Sequence, residues 1–430
     1  MSRFVLATAG SLGDLHPYIA VARALTDRGH RAVIATAEDH RSAVEGAGVE
    51  LAPIRPSASD FGDYGALVAR LFDPRRGPEY LWREVVVPHL RSAYEDLSRV
   101  ADGADLLVSH PLTVTFPLVA QRQGLPWVAT VLAPMSFMSA WDPPLLPAAP
   151  WLRMLRAFGP TPYRLVFDLL KRKVRAWEAP LQDLRRELGL PASKQLAMFE
   201  GQFSPLRNLA LFDPQLARPQ PDWPANVRIC GAALYDGVPP GAGVRDELER
   251  FLTQGERPIV FALGSSAVWV AGDFWASAAA AARELGRRAI LVIGSTTPEN
   301  LPAGVRAFRY LGYSAVFPRA AAVVHQAGIG TLAQAMRAGR PQLIVPVAFD
   351  QPDNAHRAAT LGIARVVPFR KVTARRLASE LAVLLEQPSY AREARAVAEA
   401  LTKVDGAGNA AEELIACART GGGLFSTRQQ

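Results

Sequence analysis

The segment His325-Gln326-Ala327-Gly328-Ile329-Gly330-Thr331 follows the apolar run Ala320 to Val324 and opens a helical pattern from Leu332 to Ala338. A buried strand that feeds a small-residue turn and then a helix gathers free backbone N–H groups and the positive helix end at one point, where a phosphate can sit. His325 at the strand end can donate to a phosphate oxygen, and the Thr331 hydroxyl can cap the helix and face the ligand. The same residues also suit a plain tight turn in which Thr331 and Gln334 form a capping box. Further on, Pro341 to Phe349 reads as another buried strand, followed by Asp350-Gln351-Pro352-Asp353-Asn354 and a helix. Pro352 suits the first helical position, so Gln351 is expected as the cap, with Asp350 just outside the helix. Ligands of open parallel sheets bind beyond the carboxyl ends of the strands. A phosphate cradle beside a carboxylate and an amide there suits a sugar carried on a diphosphate, since hydroxyls need acceptors and paired donors.

The N-terminus supplies a second glycine-bearing loop. Arg3 to Thr8 reads as a short strand, Gly10-Ser11-Leu12-Gly13-Asp14-Leu15-His16-Pro17 as a loop, and Pro17 to Arg28 as a helix ended by Gly29. Gly-x-x-Gly-Asp lacks the third glycine of a dinucleotide fingerprint and places an acid where a pyrophosphate would be repelled, so a Rossmann oxidoreductase is disfavoured.

The run from His325 to Asn354 resembles the C-terminal nucleotide-sugar signature of family 1 glycosyltransferases with the GT-B fold, and more closely that of bacterial antibiotic, sterol and rhamnolipid glycosyltransferases. The family pattern is often His-His-Gly-Gly-x-Gly-Thr, then Pro-Gln-Leu-x-x-Pro and Asp-Gln. This chain keeps His325, Gly328, Gly330, Thr331, Pro341, Gln342, Leu343, Pro346, Asp350 and Gln351, and departs at Gln326 and Ala327. The resemblance implies an α/β GT-B architecture, two Rossmann-like parallel-sheet domains facing across a cleft. It assigns a phosphate contact to His325 and sugar-hydroxyl contacts to Asp350 and Gln351. Donor contacts fall on Ser11, on Ser265 and on its neighbour Ser266 after the strand Pro258 to Leu263, and Tyr310 stands where relatives present an aromatic to the nucleotide base.

The N-terminal loop resembles the family's Gly-Ser-x-Gly-Asp-x-x-Pro, with Asp14 where many relatives carry histidine, and this implies a general base. Transfer needs one because an alcohol does not ionise at neutral pH, so a carboxylate must take its proton during attack. His16 is the alternative base, although a helix starting at Pro17 makes it simply the residue before that helix. In histidine-bearing relatives a second carboxylate orients the base from the end of a later strand. Here the comparable strand, Ala104 to Val108, ends in Ser109-His110, so that pair is not reproduced. No Asp-x-Asp metal signature stands in a donor-side position; metal-independent transfer without a resident cofactor is expected, the nucleoside diphosphate sugar being a co-substrate.

These residues need a scaffold, and the chain supplies it. Strands near Arg3 to Thr8, Arg31 to Thr36, Ala104 to Val108 and Trp127 to Val131 alternate with helical stretches such as Pro17 to Arg28 and Thr113 to Gln123. The scheme repeats at Ile259 to Leu263, Ala289 to Ile293, Ala321 to Val324 and Gln342 to Val345. Such alternation predicts parallel sheets covered on both faces. The expected divisions are an acceptor-binding domain over 1–213, a proline-rich linker over 214–225, a nucleotide-sugar-binding domain over 226–404, a helix over 405–420 returning to the first domain, and a flexible tail over 421–430. A length of 430 residues allows each domain its own core. No apolar run reaches the roughly 18 residues of a membrane span, Met1-Ser2-Arg3-Phe4 is expected to lead into a strand and not to be a secretory signal, and Cys230 and Cys417 lack metal spacing. A reduced, cytoplasmic setting is the expectation.

Trp82, Phe116, Met135, Phe137 and Trp141 fall in the region that shapes the acceptor pocket in the family, and their character suggests a lipid, polyketide, sterol or aromatic acceptor. Ordinary core packing explains any one of them as well. Over 151–178, Arg153, Arg156, Arg164, Lys171, Arg172, Lys173 and Arg175 interleave with Trp151, Leu155, Phe158, Leu165, Phe167, Leu169 and Leu170. A solvated helix face over a buried one and a peripheral contact with an anionic inner-membrane surface both fit. The net charge of +8 comes without a nucleic-acid recognition motif. The expected activity is inverting transfer from a dTDP-deoxysugar such as dTDP-rhamnose, or from UDP-glucose, to a hydroxyl of a hydrophobic acceptor. A non-catalytic homologue acting as binding partner or activator would have lost Asp14 or the His325 loop, and neither is lost. A nucleotide-sugar epimerase would isomerise the sugar without any acceptor.

Overall fold

The computed structural model describes residues 1–237, 239–294 and 300–426, the last six of these in backbone alone. The chain divides into two compact units, Met1–Tyr235 with Asp405–Gln430, and Asp236–Val404.

In the first unit seven parallel strands stand in the order β3-β2-β1-β4-β5-β6-β7: β1 Arg3–Ala7, β2 Arg31–Thr36, β3 Glu50–Pro53, β4 Leu106–Ser109, β5 Trp127–Val131, β6 Asn208–Ala210 and β7 Val227–Ile229. β1 lies inside the sheet between β2 and β4, with Phe4, Val5, Leu6 and Ala7 wholly buried, as a strand covered on both faces by helices requires. The helix α1 spans Leu12–Asp27, five residues earlier than the proline suggested. Ser11 and Asp14 form a reciprocal capping box that starts the helix, and Pro17 is accommodated inside it. α2 covers Phe116–Gln123 and stops at Gly124 in the left-handed conformation.

The proline-rich segment 214–225 does not separate the units. β7 continues the first sheet in register with β6, Asn208 opposite Val227, and Trp223 stacks on Phe137 with ring centroids 3.8 Å apart. The division falls at Tyr235–Asp236 instead. Prolines set the path around the sheet edge, and the aromatic stack holds it down.

α3, Thr161–Trp177, turns Tyr163, Phe167, Val174 and Trp177 inward. Leu165 and Leu169 face outward, as do Trp151, Met154 and Phe158 of the preceding 3-10 segment Pro150–Phe158, all more than 60% exposed. Among the described residues no helix is long and apolar enough to cross a membrane.

The second unit has six parallel strands in the order β10-β9-β8-β11-β12-β13: β8 Ile259–Ala262, β9 Ala289–Val292, β10 Val305–Phe308, β11 Ala322–His325, β12 Gln342–Ile344 and β13 Ala364–Val366. From β8 the chain adds strands first to one side and then, from β11, to the other. The seam between β8 and β11 is therefore the point where ligands of such sheets bind. α4 (Gly264–Ala267) follows β8, α5 (Ile329–Arg337) follows β11 and α6 (Gln351–Thr360) follows β12. The last helix, α7 (Gly406–Ser426), belongs to the first unit. Its start is glycine because a Cβ there would stand 2.4 Å from the carbonyl oxygens of Gly231 and Ala232. Of the tail expected to be flexible, 421–426 continue this helix and 427–430 lie outside the described residues.

Candidate active site

In the first unit the register of β1 on β4 sets the geometry. Ala7 lies opposite Ser109, and His110 N–H donates to the Ala7 carbonyl at 3.1 Å, so the turns after the two strands share one edge of the sheet. Asp14, in the first turn of α1, accepts through Oδ2 from Ser11 N–H at 2.8 Å and from the Ser11 hydroxyl at 3.2 Å. Its Oδ1 lies 3.6 Å from His110 Nε2, and about a third of the Asp14 side chain remains open to solvent while the imidazole is 5% exposed. His110 Nδ1 accepts from Leu112 N–H at 3.1 Å, which leaves the neutral ring's proton on Nε2, the atom facing Asp14. Burial alone would raise the Asp14 carboxyl, but the interactions with His110 and Ser11 outweigh it and hold the group below its ordinary value. The helix N-terminus favours the same negative charge. Asp14 is a carboxylate at neutral pH with one oxygen anchored and the other beside a proton donor.

No carboxylate follows β4, so the pair of the histidine-bearing relatives is not reproduced in kind, and the sequence leaves open whether His110 reaches Asp14; the structure brings the two positions together with the residue types exchanged. The available signal was the adjacency of β1 and β4 in a Rossmann-like sheet. His16, the alternative base, is not the residue before a helix but lies inside α1, with its ring edge-on to Tyr235 at 5.3 Å. Ser11 is the cap of α1, its hydroxyl accepting from Gly13 N–H at 3.2 Å.

In the second unit the turn after β11 forms as expected, but its side chains are used differently. His325 is wholly buried. Its Nδ1 accepts from Ala327 N–H at 3.0 Å and its Nε2–H donates to Gln342 Oε1 at 2.9 Å, so the ring spends both nitrogens inside the fold. Burial lowers the imidazole to about 4, the bond to Gln342 offsetting only part of this, and the ring is neutral at pH 7. The direct phosphate contact expected of the imidazole is thereby corrected: the ring holds the turn, with Ala327 at φ +67, and the turn offers main-chain N–H groups. Gly328, not Thr331, is the cap residue of α5, and no side chain caps it. Thr331 is buried in the first turn and hydrogen-bonds Tyr313, while Gln334 donates to Asp236 at 2.7 Å, so the Thr331/Gln334 capping box does not form.

At the end of β12, Asp350 is the cap residue of α6, one position earlier than expected, and its side chain accepts from Asn354 Nδ2 at 2.7 Å. Gln351 Oε1 accepts from Val347 N–H at 2.8 Å and Ala348 N–H at 3.2 Å, which fixes the loop and leaves its NH2 group as the donor end. Ser265 and Ser266 are half-buried in α4, across the seam from α5. Tyr310 follows β10 with its hydroxyl donating to the Asp236 carbonyl and its ring 38% exposed. His325, Gly328, Gly330, Thr331, Asp350, Gln351, Ser265 and Ser266 thus all fall at the carboxyl ends of β8, β11 and β12.

The acceptor residues divide. Trp82 is buried and donates to the Trp177 carbonyl at 2.7 Å, Phe116 is buried against β1, β4 and β5, and Phe137 is stacked between Phe203 and Trp223. These three are core residues, a correction that follows from the apolar area each hides. Trp141 is 49% exposed and Met135 half-buried.

Residues 4–77 match the glycosyltransferase family 28 N-terminal domain, and residues 290–415 match the erythromycin biosynthesis protein CIII-like C-terminal domain. The O-mycaminosyltylonolide 6-deoxyallosyltransferase of Streptomyces fradiae is 33% identical over 417 residues, 95% of this chain and 96% of that one. Among solved structures, the calicheamicin glycosyltransferase CalG4 superposes with a TM-score of 0.71 at 17% identity, over 97% of this chain and 98% of its own. The glycosyltransferase VinC in complex with dTDP gives 0.68 at 22% identity, over 97% and 100%.

Proposed function

The chain belongs to the antibiotic-type family 1 GT-B glycosyltransferases and is an enzyme of that class; from this premise we propose that it transfers a 6-deoxyhexose from its dTDP-sugar, with inversion, to a hydroxyl of a hydrophobic small molecule. The 6-deoxyallosyl transfer named for the Streptomyces fradiae relative and the dTDP held by VinC support that donor over UDP-glucose.

The observation that carries the reading is the anchored Asp14 carboxylate beside His110. Asp14 Oδ1 takes the proton of the acceptor hydroxyl as its oxygen bonds to the anomeric carbon from the face opposite the diphosphate. The bond from that carbon to the diphosphate oxygen breaks, and the electron pair leaves with the nucleotide. Main-chain N–H groups at the start of α5 meet the growing charge, and Asp350 with the Gln351 NH2 group holds sugar hydroxyls. His110 is a positioning residue: its Nε2–H aligns Asp14 Oδ1 without touching the acceptor.

The test is incubation of the purified chain with dTDP- and UDP-sugars and a panel of macrolide, sterol and lipid alcohols, followed by mass spectrometry and anomeric NMR couplings. A glycoside of inverted configuration from a dTDP-sugar is the expected product. Nucleotide binding with no transfer to any alcohol would instead favour a binding-only homologue.

The outward row Trp151, Met154, Phe158, Leu165 and Leu169 lies among Arg153, Arg164 and Arg172, all exposed. Apolar side chains flanked by guanidinium groups match an anionic bilayer surface. We assign this face to peripheral membrane contact, through which an amphiphilic acceptor is collected.

A further inference from the structure

Gln326, one of the two departures from the family pattern, sits at the seam between β8 and β11, in the turn before α5. A Cβ added at Gly264 would stand 2.4 Å from Gln326 Nε2, and one added at Gly328 would stand 2.8 Å from it. The carboxamide is therefore wedged between the two strand-end turns, in space that both turns leave by being glycine. Only 6% of the residue is exposed, and Oε1 has no hydrogen-bond partner among the described residues. Leaving a buried carbonyl unpaired is costly, and such an atom marks a bond that something else completes.

The missing partner must be a donor, because the orphan is an acceptor. His325 cannot supply it, since its single N–H is held by Gln342. The diphosphate cannot supply it either, having only acceptor oxygens at neutral pH. The hydroxyls of the transferred sugar can, and the one next to the anomeric carbon lies nearest the diphosphate.

We propose that Gln326 Oε1 accepts a hydrogen bond from the sugar hydroxyl adjacent to the anomeric carbon, and so selects donors that carry this hydroxyl over their 2-deoxy counterparts. This rests on the donor-binding reading of the second unit given above. A site built around a hydroxyl rejects the analogue lacking it because its own polar group is left unpaired.

Calorimetric titration of the full chain with dTDP, a dTDP-6-deoxyhexose and its 2-deoxy analogue tests this. The wild type is expected to bind the hydroxylated sugar nucleotide at least 10-fold more tightly than the 2-deoxy one. Gln326→Met, which keeps length and removes the acceptor, and Gln326→Asn, which withdraws it by one methylene, are each expected to erase that ratio while leaving dTDP affinity within about 2-fold. A wild type that does not distinguish the two sugars overturns the proposal without mutagenesis. Equal weakening of dTDP and dTDP-sugar by both variants overturns it too, by moving the contact to the diphosphate. If the wild type binds none of the three, the donor reading itself fails.

Discussion

His110 Nε2 stands 3.6 Å from Asp14 Oδ1, so the imidazole after β4 and the carboxylate that opens α1 form one unit at the edge of the first sheet. Each member is fixed from behind: Asp14 by the Ser11 main chain and hydroxyl, His110 by Leu112 N–H on Nδ1. The pair carries separable consequences for rate, pH dependence and folding.

Replacement of Asp14 by asparagine keeps the shape and a capping oxygen but removes the base. Transfer is expected to fall by about 100- to 10,000-fold in kcat, with dTDP affinity from calorimetry unchanged. Full turnover on an alcohol acceptor would end the assignment of Asp14 as base.

His110→Gln tests the positioning role through pH. The Asp14 carboxyl is held below its ordinary value, so the acid limb of kcat/KM lies below the usual carboxylate range. Loss of the largest lowering influence moves that limb upward, and kcat falls while KM for donor stays constant. An unmoved limb would show that the contact plays no part in the chemistry.

Gly10 has φ +123, and a Cβ there would meet Asp14 Oδ2 at 2.4 Å. Gly10→Ala is expected to displace the carboxylate and lower kcat at least 10-fold, with thermal stability falling only by the backbone strain. Wild-type kcat in this variant would mean that the position of Asp14 is not critical.

The neutral, buried His325 ties the second unit to pH. Its folded value of about 4 lies below the ordinary 6.5, so the unfolded chain binds the proton more readily. Its contribution is whole above pH 6.5, shrinks as pH falls, and is lost below about 4, an effect on the order of 3 kcal/mol. Thermal unfolding followed from pH 7.5 to 4.5 should show this slope, and His325→Gln should flatten it. On the proposed donor reading the same variant is expected to weaken dTDP binding, because the turn after β11 loses its brace.

The exposed row on α3 and the segment before it predicts co-sedimentation with vesicles containing anionic lipid, reduced by salt and absent with neutral vesicles. Leu165→Glu with Leu169→Glu, both outward on α3, should abolish it and leave transfer to a water-soluble acceptor intact. Equal binding by this double variant would remove the assignment of this face to the membrane.

The sequence by itself determined the architecture and the strand ends at which the candidate site residues gather. Apolar runs separated by helical periods dictate parallel strands, and small residues after Val324 and Leu263 dictate turns at their ends, because periodicity and turn chemistry are local properties. Asp14 is likewise legible as the acid that follows β1, although it stands in the first turn of α1 and not on a loop. Only the tertiary structure decided which groups meet. Asp14 and His110 are 96 residues apart and touch because β1 pairs with β4 in a register that no local pattern encodes. The employment of His325 was equally illegible: whether an imidazole faces a ligand or braces a turn depends on Gln342 from the neighbouring strand, which accepts the hydrogen bond of its only N–H. The linker placed at 214–225 failed for the same reason. A proline-rich stretch reads as loose until Trp223 is found stacked on Phe137, a contact made by the folding of the whole first unit.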